Sequence, residues 1–205
     1  MKVGIIGAGS LGTALAARLG AAGHEIMLGE AAAANEAAGR TGSRVGSNSE
    51  TAAYAEVLVL AVPYAAVDAA LAETGPLTGK VVWSCVNALK RDMSDLAIGF
   101  DTSAAERVAE QAPGALVVEA IPPFAGALAA GDLAYDCGLA PSVFLCGDDA
   151  VAKSTVERLV SDLGAHPVDA GPLASARLVE PAMMLLVRLS YAGVPRDLGL
   201  RLLER

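Results

Sequence analysis

The chain has 205 residues, 54% of them hydrophobic and only 4% aromatic, so one sizeable core must be built mainly from Ala, Val, Leu and Ile. Its net charge is −8 and it shows no cluster of Lys and Arg, which argues against nucleic acid as the main partner, because neutralising phosphates needs concentrated positive charge. A dinucleotide is not excluded, since the amides at a helix N-terminus can hold a pyrophosphate without basic side chains.

Strand and helix signals alternate from the start. Residues 2–6 form a β-branched run that ends at Gly7, and residues 11–22 read as an Ala/Leu-rich helix with Gly23 as its left-handed cap. Residues 25–28 are a second strand and 44–45 a short third one. The unbroken apolar run 57–62 is the pattern of a strand buried on both faces. A helix over 64–73, a strand over 80–84, a helix over 103–111 and a strand over 115–120 follow. Beyond them come a strand at 142–146, a helix at 150–163, a strand at 166–169, a long apolar helix at 173–190 and a last helix at 196–203.

Alternating elements of this kind predict an α/β fold: a doubly wound, mostly parallel sheet with helices on both faces. We expect a nucleotide-binding domain over residues 1–170. The remaining residues, 171–205, should form a small helical extension packed on the same domain, its apolar helix offering a contact for a homodimer.

The motif Gly7-Ala8-Gly9-Ser10-Leu11-Gly12 follows a strand and opens a helix, which is the context that gives a G-x-G-x-x-G pattern its meaning. Gly7 permits the tight turn, Gly9 lets backbone approach a pyrophosphate, and Gly12 lets the helix pack on the strand. Glu30 lies 18 residues beyond Gly12, near the distance at which an acidic residue accepts hydrogen bonds from the adenosine ribose. A carboxylate there repels a 2′-phosphate, and the nearest cations are Arg40 and Arg44, so Glu30 taken alone favours NAD over NADP. Ligands of open α/β sheets sit outside the carboxyl ends of the strands. Those ends supply Val62, Pro63 and Tyr64, then Asn87, then Ile121, Pro122 and Pro123 as further candidate cofactor-binding residues.

Three cysteines (Cys85, Cys137, Cys146) and two histidines show no metal or redox spacing. They read as reduced cysteines of a cytoplasmic protein, with no metal site and no acid–base constellation. Cys85, close to a strand end, lacks an activating motif and reads as structural. No signal peptide is expected, and the most apolar stretch, 57–71, is too short and too interrupted by Pro63 and Asp68 to span a bilayer.

The chain resembles the deazaflavin-dependent NADP oxidoreductases, which pass hydride between NADP(H) and coenzyme F-420. The resemblance runs from residues 3–12 through Leu60-Ala61-Val62-Pro63 and the segment 92–99. Its most specific parts are Cys146-Gly147-Asp148-Asp149 and Asp169-Ala170-Gly171-Pro172-Leu173, followed by Arg177-Leu178-Val179-Glu180. It implies that Val62-Pro63 and Ile121-Pro122-Pro123 lie near the nicotinamide and the deazaflavin. It also implies that catalysis is proximity and orientation, with the chemistry carried by the cofactors.

Two positions depart from the family. Glu30-Ala31 stands where members typically carry Ser-Arg for the 2′-phosphate, and Glu119 stands where a deazaflavin-binding member can carry a histidine. Two other readings share the scaffold. One is a reductase of a small imine, ketone or hydroxy acid, although the helix over 173–190 contains no Lys to act as its acid. The other is a non-catalytic dinucleotide-binding protein.

Overall fold

The structure is a computed structural model describing residues 1–29, 32–131, 133–135, 138–194, 198–203 and 205. The chain runs β1 (Lys2–Ile6), α1 (Ser10–Ala21), β2 (Glu25–Gly29), α2 (Ala34–Thr41), β3 (Arg44–Gly46), α3 (Asn48–Tyr54), β4 (Val57–Leu60), α4 (Val67–Ala72) and β5 (Val81–Ser84). It continues with α5 (Ala104–Gln111), β6 (Leu116–Ala120), α6 (Ala125–Ala130), β7 (Ser142–Gly147), α7 (Ala150–Asp162), β8 (His166–Asp169) and α8 (Ala176–Tyr191). Single 3₁₀ turns, Tyr64–Ala66 and Leu173–Ser175, lead into α4 and α8.

The strands form one sheet in the order β3-β2-β1-β4-β5-β6-β7-β8. The first six are parallel, β7 is antiparallel to β6, and β8 is parallel to β7. This is the doubly wound fold expected from the alternation. Its order reverses at β1 and β4, the switch point where such sheets open a crevice. The central strands are apolar throughout: Val57–Leu60 is fully buried, as a strand covered on both faces must be.

Each face carries its own core. Leu15 and Leu19 of α1, Leu128 of α6 and Leu159 of α7 pack on one side with Trp83, whose indole N–H donates to the Ala120 carbonyl at 2.7 Å. Val67 and Leu71 of α4, Val108 of α5 and Val179 of α8 pack on the other. The side chain of Arg18 donates to the carbonyls of Gly131 and Leu163, tying α1 to the ends of α6 and α7. None of the helices among the described residues is long and apolar enough to cross a membrane.

The narrow motifs of the second half turn out to be a brace. Asp149 caps α7 by accepting from Ala152 N at 2.8 Å, and Asp148 accepts from Leu173 N at 2.9 Å. Lys153 donates to the Asp169 carboxylate at 2.8 and 3.0 Å, and Asp169 in turn accepts from Gly171 N at 2.8 Å. Gly171, at φ +98°, makes the bend, and its carbonyl accepts from Gly147 N at 3.1 Å. Because β7 runs against β6, this brace closes the sheet at the edge away from the glycine loop.

One expectation is corrected. The helix over 196–203 is absent from its described part, since Leu198–Leu203 carries no helix. The backbone groups there bond to β7 instead: Ser142 N donates to the Leu200 carbonyl at 2.6 Å, and Leu202 N donates to Ser142 Oγ at 3.0 Å. Gly199 lets the tail lie flat, because a Cβ there would meet Pro141 and Tyr135 at 2.9 Å. Among the described residues, α8 is therefore followed by a strap rather than by a second helix. Three short helices, α2, α3 and α6, were not expected from the sequence.

Removing one arm of the brace should cost stability. Asp148→Ala leaves Leu173 N without its acceptor, a loss of about 1–2 kcal/mol. A drop in melting temperature of about 2–8 °C is the expected result by calorimetry.

Candidate active site

Sterics place the glycine loop. Gly7 sits at φ +109°, and a Cβ on it would lie 2.4 Å from the Ala61 carbonyl oxygen. A Cβ on Gly12 would lie 1.8 Å from the Gly7 carbonyl oxygen. Both positions therefore demand glycine, and together they bring the start of α1 hard against the ends of β1 and β4. Gly9 differs: it is exposed, with no atom within 4 Å of where its Cβ would stand. It is the N-cap of α1 and provides no side-chain cap, and the first turn holds no acidic residue. Thr13 N is taken by the Gly9 carbonyl at 2.9 Å. The earlier amides, at the exposed Ser10 and the half-buried Leu11, face outward with the helix's partial positive charge behind them. Ala8 is buried in the core beneath.

The ends of β4, β5 and β6 lie beside this loop because those strands follow β1 in the sheet. After β4, Val62 and Tyr64 are half-buried and Pro63 is exposed. After β6, Ile121 is half-buried while Pro122 and Pro123 are buried. After β5, Asn87 is half-buried. Its Nδ2 donates to the Glu180 carbonyl at 3.2 Å, and its Oδ1 is buried with no hydrogen-bond partner among the described residues. All these segments lie on one edge of the sheet with the loop.

Glu30 lies outside the described residues. The preceding Gly29 is tight, since a Cβ there would meet Asn48 Oδ1 at 2.3 Å. The two arginines considered for a 2′-phosphate each have a neighbour at the surface. Arg40 is 3.5 Å from Glu36, and Arg44 stands over the Tyr54 ring, 5.5 Å from its centroid.

Two acids lie beneath this edge: the sequence marks Glu119 as a departure from the family and Glu180 as part of a family motif, and names neither as a site residue. Glu119, on β6, is 0% exposed, and among the described residues no group meets full hydrogen-bond geometry with either carboxyl oxygen, the Ser84 hydroxyl standing nearby. Burial pushes its carboxyl well above the usual range, the nearby Glu180 adds to this, and the Ser84 hydroxyl offsets it only in part. Glu180, on α8, is 1% exposed and accepts from Ala104 N and Ala105 N at 3.1 and 3.2 Å. The available signal was a lone acid in each of two apolar runs, Val117-Val118-Glu119-Ala120 and Val179-Glu180-Pro181. Burial also raises the thiols of Cys85 and Cys146, the latter to about 12, so neither offers a thiolate. Among the described residues no group of His, Cys, Asp and Glu could hold a metal.

The sequence profile of a family described as NADP oxidoreductase, coenzyme F-420-dependent, matches residues 2–88. An F-420-dependent NADP reductase from Methanothermobacter marburgensis is 30% identical over 225 aligned positions, covering 98% of this chain and 98% of that protein. The metalloreductase STEAP3 of Rattus norvegicus is 31% identical over 189 positions, covering 91% of this chain, which spans only 37% of that longer protein. A crystal structure from Arthrobacter sp. FB24, described provisionally as an F-420-dependent NADP reductase, superposes with a TM-score of 0.88 over 100% of both chains at 26% identity.

The buried acid gives a pH test. The folded state holds the Glu119 proton more tightly than the unfolded chain. Its contribution to stability is therefore full below the ordinary carboxylate range and lost as pH rises through the raised value. Glu119→Gln removes that loss. Between about pH 5 and about pH 9 the melting temperature of the variant should fall less than that of the wild type, by several degrees on the scale of ~2–4 °C per kcal/mol.

Proposed function

The chain belongs to the family of coenzyme F-420-dependent NADP oxidoreductases, and we propose that it transfers hydride between NADP(H) and a deazaflavin, with the pyrophosphate held on the glycine loop that opens α1. The observation that carries this is the open Gly9 position at an uncapped helix N-terminus, in a chain aligned along 98% of its length with a reductase of that specificity. A small-molecule redox enzyme of this kind fits a cytoplasmic setting.

Bound there, the nicotinamide supplies a hydride and the deazaflavin ring accepts it. The chain's own residues bind and orient. The first amides of α1, with the Ser10 hydroxyl beside them, satisfy the pyrophosphate oxygens without any basic side chain. Val62, Pro63 and Tyr64 on one side and Ile121, Pro122 and Pro123 on the other wall the crevice and exclude water. The free Oδ1 of Asn87 is an acceptor for a carboxamide N–H. Holding two rings in reacting distance supplies the rate by proximity, which suits a site that offers no activated nucleophile or histidine base.

A second nucleotide reading rests on Glu30, whose carboxylate suits the unphosphorylated ribose of NAD(H). Titrating NADPH and NADH into the wild type and into Glu30→Arg decides between them. If Glu30 reads the ribose, the substitution moves preference toward NADPH. An unchanged preference removes Glu30 from the site.

The outer face of α8 carries Leu178, Leu185 and Leu189, exposed by 71%, 55% and 38%. We assign this stripe to a second copy of the chain, and a strict monomer by light scattering would contradict it.

Two measurements test the central reading. Mixing the protein with NADPH and oxidised deazaflavin should bleach the deazaflavin absorbance, and no change with either nicotinamide nucleotide rejects the deazaflavin. Gly9→Ala has room to fold but places a methyl where the pyrophosphate must approach. Its melting temperature should match the wild type while NADPH affinity falls at least about tenfold, equal to ~1.4 kcal/mol.

A further inference from the structure

Glu180 holds three parts of the molecule together at one point. Its two carboxylate oxygens accept separately from Ala104 N and Ala105 N, the first two amides of α5. The N-cap Ser103 already serves Glu106 N at 3.1 Å. The carboxylate therefore completes a helix N-terminus that would otherwise be buried with donors unpaired. One turn earlier on α8, Arg177 forks onto Glu106 at 2.7–3.1 Å. The main-chain carbonyl of Glu180 accepts from Asn87 Nδ2, and the Ala88 amide also faces the carboxylate. Thus α8, α5 and the end of β5 meet on one residue, and the side chain fixed by that meeting is Asn87.

We propose that Glu180 is a positioning residue for the nicotinamide end of the site: its carboxylate, when ionised, locks α8 onto α5 and so fixes Asn87, making nucleotide affinity follow the Glu180 proton. The proposal rests on the reading that Asn87 serves the nicotinamide half of the cofactor.

The surroundings set the pH at which this happens. Burial raises the Glu180 carboxyl to about 7, the α5 amides hold it down, and the charge of Glu106 adds to the rise. Glu119 on β6, Cys146 on β7 and Tyr64 in the turn after β4 feel the Glu180 charge, and Arg177 lies one turn away on α8 itself. Arg177 is engaged by Glu106. Burial raises Glu119, Cys146 and Tyr64 above their ordinary values: the Cys146 thiol and the Tyr64 hydroxyl stay neutral near pH 7, and the Glu119 carboxyl keeps its proton well above the ordinary carboxylate range. Glu180 is therefore the member of the group that changes charge there. Once protonated, it accepts well through one oxygen only, so one α5 amide is released and the hold on Asn87 loosens.

The test compares two ligands, NADPH and 2′-phosphoadenosine 5′-diphosphoribose, which lacks only the nicotinamide. Both carry the 2′-phosphate and the pyrophosphate, so the phosphate titration cancels in the ratio of their dissociation constants. In the wild type, the preference for NADPH over the diphosphoribose should grow as pH rises through about 7, by roughly three- to tenfold, the effect of one hydrogen bond. In Glu180→Gln the ratio should stay at its low-pH value at every pH, with binding of the diphosphoribose unchanged. A purely structural role would weaken both ligands together. A wild-type ratio that is flat with pH, or a Glu180→Gln ratio that still moves, overturns the proposal, and the wild-type profile decides even if the variant does not fold. A wild type that binds NADPH no better than the diphosphoribose at any pH instead overturns the reading of the nicotinamide site, and the proposal with it.

Discussion

The structure depends on one close approach. The Gly7 carbonyl oxygen lies where a methyl on residue 12 would have to go, so the first turn of α1 can settle on β1 only because both residues are glycine. That contact aims the amides of α1 at the crevice between β1 and β4, where the strand order reverses. The crevice then takes its walls from the segments after β4, β5 and β6. A side chain at either glycine would move the helix and disorganise the cradle before any ligand arrived.

The second half of the molecule supports this arrangement from the far side. The reversal at β7 turns the last β-α-β unit round, and the brace of Asp148, Asp149, Lys153 and Asp169 anchors it to the turn that begins α8. From there α8 reaches α5 and lays Glu180 against Asn87. The residues of the brace act at a distance from the glycine loop. They hold α8 in place, and α8 carries the one buried carboxylate that couples helix packing to the site. A buried acid is costly unless its lone pairs are used. Glu180 uses them on α5, whereas burial around Glu119, offset only in part by the Ser84 hydroxyl, holds its proton on well above the ordinary carboxylate range.

Much of this was legible in the sequence because it rests on local rules. The strands β1, β4, β5 and β6 are apolar runs ended by Gly, Pro or Asn, and the glycine spacing announces the turn that follows β1. The short helices were not legible. α3 has seven residues and is held by a Ser47–Glu50 capping box and by packing on β1 and β2 rather than by an amphipathic pattern. The tail 198–203 looks helical from its leucines, yet its hydrogen bonds go to Ser142, a non-local choice that periodicity does not register. In the site, the glycines and strand ends could be named in advance because each follows from position. The pairing of Glu180 with α5, more than seventy residues away in the chain, could not.

The account's central claim is direct transfer between two rings that the chain merely holds in place. The measurement that tests it most directly uses NADPH carrying deuterium at the transferring position of its nicotinamide, with the oxidised deazaflavin as acceptor, in ordinary water. The account predicts reduced deazaflavin that retains the deuterium at the carbon accepting the hydride. Reduced deazaflavin carrying solvent hydrogen at that carbon, or no reduction at all, would contradict it.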